Sequence, residues 1–113
     1  MRPEAKKYLF DMARAAELVM QFVATKRFED YEQDPMLRAA VEREFEIIGE
    51  AMSKLAQATP DVASRISDFR RIIAFRNMLI HGYADLDDRL VWDMAGPKLE
   101  VLRREIAALL ADS

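Results

Sequence analysis

The sequence predicts an all-α protein, built as an up-and-down bundle of four to five helices. Apolar residues recur at helical spacing along most of the chain, and no stretch shows the strict alternation of a β-strand. Hydrophobic residues make up 51% of the 113 residues and charged residues 33%, which is typical of a soluble helical domain. A chain of this length buries a sizeable core without disulfides. We therefore predict a single domain over residues 1–113.

Composition argues against several kinds of site. The chain has no cysteine and one histidine, His81, so we expect neither a metal nor another cofactor. No apolar run approaches the roughly 18 residues of a membrane span, and the N-terminus does not resemble a signal peptide, which predicts a cytoplasmic protein without a membrane partner. A net charge of −3 argues against a broad grip on nucleic acid, although Arg70, Arg71 and Arg76 supply a local basic cluster.

The first helix is expected from about Pro3 to Thr25, because proline suits a first helical turn and the apolar positions that follow share one face. Residues 26–33 show no clean period. We expect a connection there, with one aromatic side chain packed against the core.

The second helix has the clearest start signal in the chain. Asp34 is expected to cap it and Pro35 to occupy its first position, and Thr59-Pro60 should end it near Ala58. Gly49 lies in its middle, at a cost of about 1 kcal/mol relative to alanine. It allows either a close approach of two helices of the same chain or room for a partner helix.

A third long helix is predicted after a short helical turn at residues 61–64. Ser67 or Asp68 should cap this helix, and Gly82 should stop it through the left-handed backbone that glycine favours.

A loop over residues 84–87 should lead to the last helix, capped by Asp87 or Asp88. Trp92 in this helix is expected to be a core residue. Gly96-Pro97 must kink the helix, because proline cannot donate the backbone hydrogen bond and its ring clashes with the preceding turn.

The end of the third helix is the one place that does not look like simple helix packing. His81 follows Arg76 by five positions and precedes Tyr83 by two, so polar groups are embedded in the most apolar helix. Burying such groups costs free energy unless they are paired or used. The apolar neighbours that we expect in the core are Ile72, Ile73, Phe75, Met78, Leu79 and Ile80.

Arg76 and His81 cannot share one face of a straight helix, since five residues turn through about 140°. Asn77 and His81, four residues apart, can. Two arrangements would bring Arg76 and His81 together. The helix loosens at Gly82 and swings His81 round, or Arg76 of one subunit meets His81 of another across a two-fold axis.

This pattern resembles the HEPN superfamily, and more closely its HepT-like members. Those proteins have an arginine, four residues, a histidine, one residue and a tyrosine at the end of a long helix, which Arg76, His81 and Tyr83 match within the string RN…IHGY. The likeness extends to Ile-Ile-Gly-Glu-Ala at residues 47–51 and to Val-Trp at 91–92. It covers nearly the whole chain.

The resemblance implies a homodimeric HEPN-like bundle that cleaves RNA without a metal at its dimer interface. An RNA 2′-OH would attack the neighbouring phosphorus and leave a 2′,3′-cyclic phosphate. His81 would transfer the proton, because imidazole titrates near neutral pH. Arg76 would stabilise the transition-state charge. Asn77 would orient the histidine or the phosphate.

The resemblance further implies the toxin of a type VII toxin–antitoxin pair. The partner in that family is a minimal nucleotidyltransferase, which adenylylates the tyrosine that corresponds to Tyr83. AMP at this position would add negative charge and bulk beside the cleft and so repel RNA.

Each residue also has a purely structural interpretation. His81 suits a helix C-terminus, Arg76 suits an exposed ion pair, and Tyr83 suits the edge of the core. Arg70 and Arg71 suit a solvated face as well as an RNA track. Two other functions therefore stay open: a non-catalytic module that binds a nucleotide or assists a nucleotidyltransferase, and a helical oligomerisation protein.

Overall fold

The computed structural model describes residues 1–82 and 86–112, and these residues form helices and no β-strand. The all-α prediction is confirmed. The helices are α1 (Pro3–Val23), α2 (Phe28–Gln33), α3 (Pro35–Ala58), α4 (Pro60–Ala63), α5 (Phe69–His81), α6 (Asp88–Met94) and α7 (Pro97–Ala111).

The bundle is organised around α3, which packs against α1 on one side and α5 on the other, while α7 packs against α1. The apolar positions of α1 and α3 recur every three or four residues, so each helix presents one continuous stripe to the other. Large side chains less than 2% exposed form the centre of this core: Leu9, Met12, Val19, Val41, Ile48, Met52, Leu55 and Ile106.

Two predicted helix starts are confirmed by their hydrogen bonds. The Asp34 carboxylate accepts from the backbone N–H groups of Met36 and Leu37, each at 3.1 Å. The Asp87 carboxylate accepts from the N–H of Arg89 at 2.9 Å. Each cap satisfies a donor that the helix itself leaves unpaired, which is worth about 1 kcal/mol.

The prediction of a plain connection over residues 26–33 is wrong, because this stretch contains the helix α2. The Asp30 carboxylate accepts from the backbone N–H of Arg27 at 2.9 Å and so caps the helix from inside its first turn. The expected buried aromatic residue is Tyr31, whose ring centroid lies 5.5 Å from that of Trp92. Trp92 is half-buried against the core.

Neither Ser67 nor Asp68 caps α5 with its side chain, contrary to the prediction. The backbone N–H and the hydroxyl of Ser67 donate instead to the carboxylate of Glu105 on α7, at 3.0 and 2.7 Å. Asp68 occupies the N-cap position with a left-handed φ of 58° and makes no capping hydrogen bond. The start of α5 is therefore fixed by a contact across the bundle.

Both glycines expected to shape helix ends behave differently from the simplest expectation. Gly82 ends α5 as predicted, although its φ of −118° is not the left-handed backbone expected there. At Gly96 and Pro97 the last helix is interrupted completely, which gives α6 and α7. The proline is thus the first residue of a new helix, where its missing N–H costs nothing.

No helix within the described ranges is long and apolar enough to cross a membrane.

A partly buried polar junction, formed by Tyr31, Arg38, Glu42 and Asp88, joins α2, α3 and α6, and it was not predicted from the sequence. The Tyr31 hydroxyl is buried without a hydrogen-bond partner among the described residues. Burial raises the pKa of Tyr31, and the nearby carboxylates of Glu42 and Asp88 raise it further. The pKa of Glu42 is also raised, first by burial and then by Asp88, although Arg38 opposes this. The Arg38 Nε lies 4.0 Å from the Asp88 Oδ2.

We predict that Glu42→Gln stabilises the fold at pH 7. The raised pKa of Glu42 means that folding is penalised whenever this carboxyl must be charged, which holds above the raised pKa. The penalty disappears as the pH falls through that pKa towards the ordinary value of 4.5. The thermal unfolding midpoint of Glu42→Gln should therefore exceed that of the wild type at pH 7, and the difference should shrink towards pH 4.5.

Glu44→Gln is the matched control, because it removes the same charge from the same helix outside the junction. An equal gain in both variants would mean that overall charge, and not the junction, sets the effect.

Candidate active site

Arg76 is held against α3 at the one position of that helix that lacks a side chain. A Cβ atom added to Gly49 would overlap the Cβ of Arg76, and it would lie 2.8 Å from the Arg76 Cγ and 3.2 Å from the carbonyl oxygen of Ile72. Gly49 is buried, so α5 crosses α3 where only glycine leaves enough room. The interpretation of Gly49 as a close approach of two helices is confirmed.

The guanidinium of Arg76 is only partly satisfied. Its Nη1 donates to the Asn77 Oδ1 at 2.9 Å, while its Nε is buried without a hydrogen-bond partner among the described residues. Leaving a buried donor unpaired costs about 1–3 kcal/mol. The fold thus holds the aliphatic part of the Arg76 side chain against α3. Its buried Nε–H donates no hydrogen bond to another described residue.

His81 is the last residue of α5 and is exposed. Its ring makes no hydrogen bond or ion pair with another residue of the described ranges, so it does not cap α5 by a hydrogen bond there. The helix stays regular through it, because the Gly82 N–H donates to the Met78 carbonyl at 2.8 Å. The arrangement in which α5 loosens and swings His81 round is therefore wrong.

The structure places Arg76 beside Asn77 and leaves His81 separate. Arg76 faces α3, whereas His81, about 140° further round the helix, faces solvent. No hydrogen bond joins Arg76 to His81 in the described part of the chain, although Asn77, which the Arg76 guanidinium contacts, lies one turn before His81 on α5.

The apolar surface of α5 is less buried than its sequence suggests. Phe75 and Leu79 are buried and three others pack against the core, so the expectation that all six apolar neighbours of the motif are core is wrong only for Ile80. Ile80 is 39% exposed, and Ile72, Ile73 and Met78 are half-buried. One chain alone therefore leaves part of this helix uncovered.

Arg70 and Arg71 lie at the opposite end of α5 from His81, about 15 Å away along the helix. Both are exposed. The guanidinium of Arg70 lies 5.4 Å from the centre of the Phe69 ring, and Arg71 lines a cavity between α5 and α7. They do not join Arg76 in one cluster, because Arg76 is turned towards α3.

Two further points concern chemistry at this site. Tyr83, the predicted modification site, lies outside the described residues. Within the described ranges, no group of three or more histidine, cysteine or acidic residues could hold a metal ion.

The family model described as "Ribonuclease HepT-like" matches residues 12–109. The chain belongs to the HepT-like ribonuclease family.

Individual relatives cover most of the chain. A protein of Thermococcus cleftensis named "Probable ribonuclease HepT" is 36% identical over 92 residues, which is 81% of this chain and 83% of the relative. A protein of Caldanaerobacter subterraneus subsp. tengcongensis, named "Putative RNase", is 29% identical over 105 residues, 93% of each chain. A protein of Methanocaldococcus jannaschii with the same designation is 25% identical over 109 residues, 96% of this chain and 89% of the relative. A search of solved structures gives no significant match.

We predict that Gly49→Ala destabilises the protein, even though alanine favours helices by about 1 kcal/mol. The added Cβ would meet atoms next to the backbone of α5, which cannot rotate away, and overpacking of this kind costs about 1–3 kcal/mol. Urea unfolding should therefore show a free energy of unfolding lower by on the order of 1 kcal/mol. A more stable variant would show that the two helices separate easily, and that Gly49 does not fix Arg76.

Proposed function

We propose that this chain is a metal-independent endoribonuclease, in which Arg76 and His81 act on an RNA phosphodiester with Asn77 in support. The observation that best supports this function is the state of Arg76. The fold clamps the stem of Arg76 against Gly49, yet only Asn77 engages its guanidinium among the side chains described. A cation that is held firmly and left under-used is suited to receive an external anion.

The chemistry follows from the side chains. A base removes the proton from the RNA 2′-OH, whose oxygen attacks phosphorus, while an acid protonates the departing 5′-oxygen and a 2′,3′-cyclic phosphate remains. His81 is exposed and free to exchange a proton in either role. Arg76 neutralises the charge that accumulates on the phosphoryl oxygens. Arg70 and Arg71 would add weaker contacts to the RNA backbone.

We infer that the complete site needs two subunits. Arg76 and His81 lie about 140° apart around α5 and share no hydrogen bond in the described part of the chain. A two-fold axis perpendicular to α5 would pair two copies of this helix antiparallel and set His81 of one subunit near Arg76 of its partner. The uncovered apolar side chains of α5, including Ile80, supply surface for such a contact. A dimer of this kind would hold two such sites, each with one histidine that transfers one proton while water carries the other.

We further propose that the chain is the toxin of a type VII toxin–antitoxin pair in the cytoplasm. Its cognate antitoxin would be a minimal nucleotidyltransferase that adenylylates Tyr83. Tyr83 follows His81 by two residues in the sequence. AMP attached there would bring negative charge and bulk next to the proton-transferring group.

One observation favours a second candidate function, a non-catalytic module that binds a nucleotide or assists a nucleotidyltransferase. The separation of Arg76 from His81 within a chain is compatible with holding a phosphate by Arg76 alone. Joint catalysis requires the partner subunit, and binding does not.

Mixed dimers test the ribonuclease and its shared site together. We expect Arg76→Ala and His81→Ala each to abolish RNA cleavage when purified alone. Co-expression in equal amounts should restore about a quarter of the wild-type activity, because half of the dimers are mixed and each of these keeps one complete site. The measurement is release of fragments ending in a 2′,3′-cyclic phosphate, with a DNA of the same sequence as the uncut control.

The outcomes separate the alternatives. If co-expression restores no RNA cleavage, Arg76 and His81 of each site belong to the same chain. An inactive wild-type protein that still binds AMP or RNA through Arg76 would favour the binding module.

Adenylylation can be tested by intact-mass spectrometry after co-expression with a candidate nucleotidyltransferase antitoxin. The chain should gain mass in steps of one AMP, and Tyr83→Phe should remove the gain, since phenylalanine lacks the acceptor hydroxyl. Tyr8→Phe on α1 is the matched control and should leave the gain intact. A mass gain that survives Tyr83→Phe would rule out Tyr83 as the acceptor.

A further inference from the structure

A cavity of about 170 Å³ lies between the first turns of α5 and the body of α7, above α3, away from His81. Its floor and walls are mainly apolar. The side chains that enclose it are Phe45 and Ile48 of α3, Ile72 and Phe75 of α5, and Leu99 and Leu102 of α7. We call it the α5–α7 cavity.

The size of the α5–α7 cavity limits what it can hold. An engineered apolar cavity of about 150 Å³ stays dry and takes up benzene. Ligand pockets for larger molecules are about 300–1,000 Å³. The α5–α7 cavity therefore suits a body of one ring or a chain of about six carbons.

Two cationic side chains at the rim of the cavity have no ion-pair partner in the described part of the chain. Arg71 and Lys98 are both exposed, and neither makes an ion pair or side-chain hydrogen bond with another residue in the described part of the chain. Arg71 comes from α5 and Lys98 from α7, so the two approach the cavity from opposite walls.

The rim also carries two acidic residues, Glu105 on α7 and Asp68, which precedes Arg71 by three residues. Glu105 already accepts two hydrogen bonds from Ser67, the residue that immediately precedes Asp68. Lys98 precedes Glu105 by seven residues, which is about 10 Å along α7. This separation is about one Debye length at physiological salt, so Glu105 weakens the field near Lys98 only slightly, whereas Asp68 offsets part of the charge of Arg71.

We propose that the α5–α7 cavity binds a small amphipathic carboxylate. Its apolar body fills the space over Phe45 and Phe75, and its carboxylate lies between Arg71 and Lys98. Burial of the body provides most of the affinity, and the two exposed cations select the charge of the head group. The proposal does not depend on ribonuclease activity.

Three probes with the same six-carbon body test the proposal: hexanoate, 1-hexanol and hexylammonium. Each is titrated into the full chain at constant ionic strength, and amide shifts are followed in ¹H–¹⁵N spectra. Hexanoate should give saturable shifts concentrated in residues 67–75 and 98–105, with a lower Kd than 1-hexanol, and hexylammonium should bind most weakly. Absence of saturable shifts in these segments, or a Kd for 1-hexanol or hexylammonium equal to or below that of hexanoate, would overturn the proposal.

Two sets of variants separate the apolar and charged contributions. The double variant Arg71→Ala/Lys98→Ala should weaken hexanoate by about fivefold and leave 1-hexanol unchanged. Val101→Trp, on the exposed rim, should block both ligands, whereas Ala107→Trp, exposed on α7 outside the cavity, should block neither. Equal hexanoate affinity in the double variant and the wild type would reject the carboxylate. Because Arg71 and Lys98 are surface residues, that test stands even if Val101→Trp does not fold.

Discussion

The contact between Gly49 and Arg76 fixes the relation of the two helices on which the candidate site depends. Because Gly49 has no side chain, α5 packs so close to α3 that the Cβ and Cγ of Arg76 occupy the space that a side chain at position 49 would fill. The guanidinium can then reach Asn77, while the remaining turn of the helix carries His81 into solvent. Glycine normally destabilises a helix interior. Gly49 therefore lowers the local stability of α3, and it fixes the position of the Arg76 side chain.

The sequence predicted the long helices well, because their signals are local. Asp34-Pro35 sets the start of α3, and the apolar stripe of that helix sets its buried face. The same approach recognised Gly49 as a place of close approach, but could not tell which residue approaches it. That Arg76 does so depends on the crossing of two helices, which no spacing within one helix records.

The errors occurred where distant residues compete with local signals. Ser67 is an ordinary capping residue by sequence, yet Glu105, 38 positions away, takes both of its donors. Residues 26–33 lack a clear period because α2 is six residues long and packs through two aromatic side chains, Phe28 and Tyr31. The apolar residues of α5 were assigned to the core since sequence alone does not show how many neighbours a helix has. This uncovered surface is also why the proposed pairing of subunits is plausible on physical grounds.

The interruption at Gly96-Pro97 has a consequence for how the molecule opens. A helix of seven residues is too short to persist in water by itself, so α6 exists only while Val91 and Trp92 rest on their neighbours. Its hydrogen-bond ladder ends before α7 begins, and unwinding of α6 need not spread into the longer helix. The chain therefore contains a short helix, packed on α2 and α7, that can unfold locally and exchange its amide protons while the four long helices remain folded.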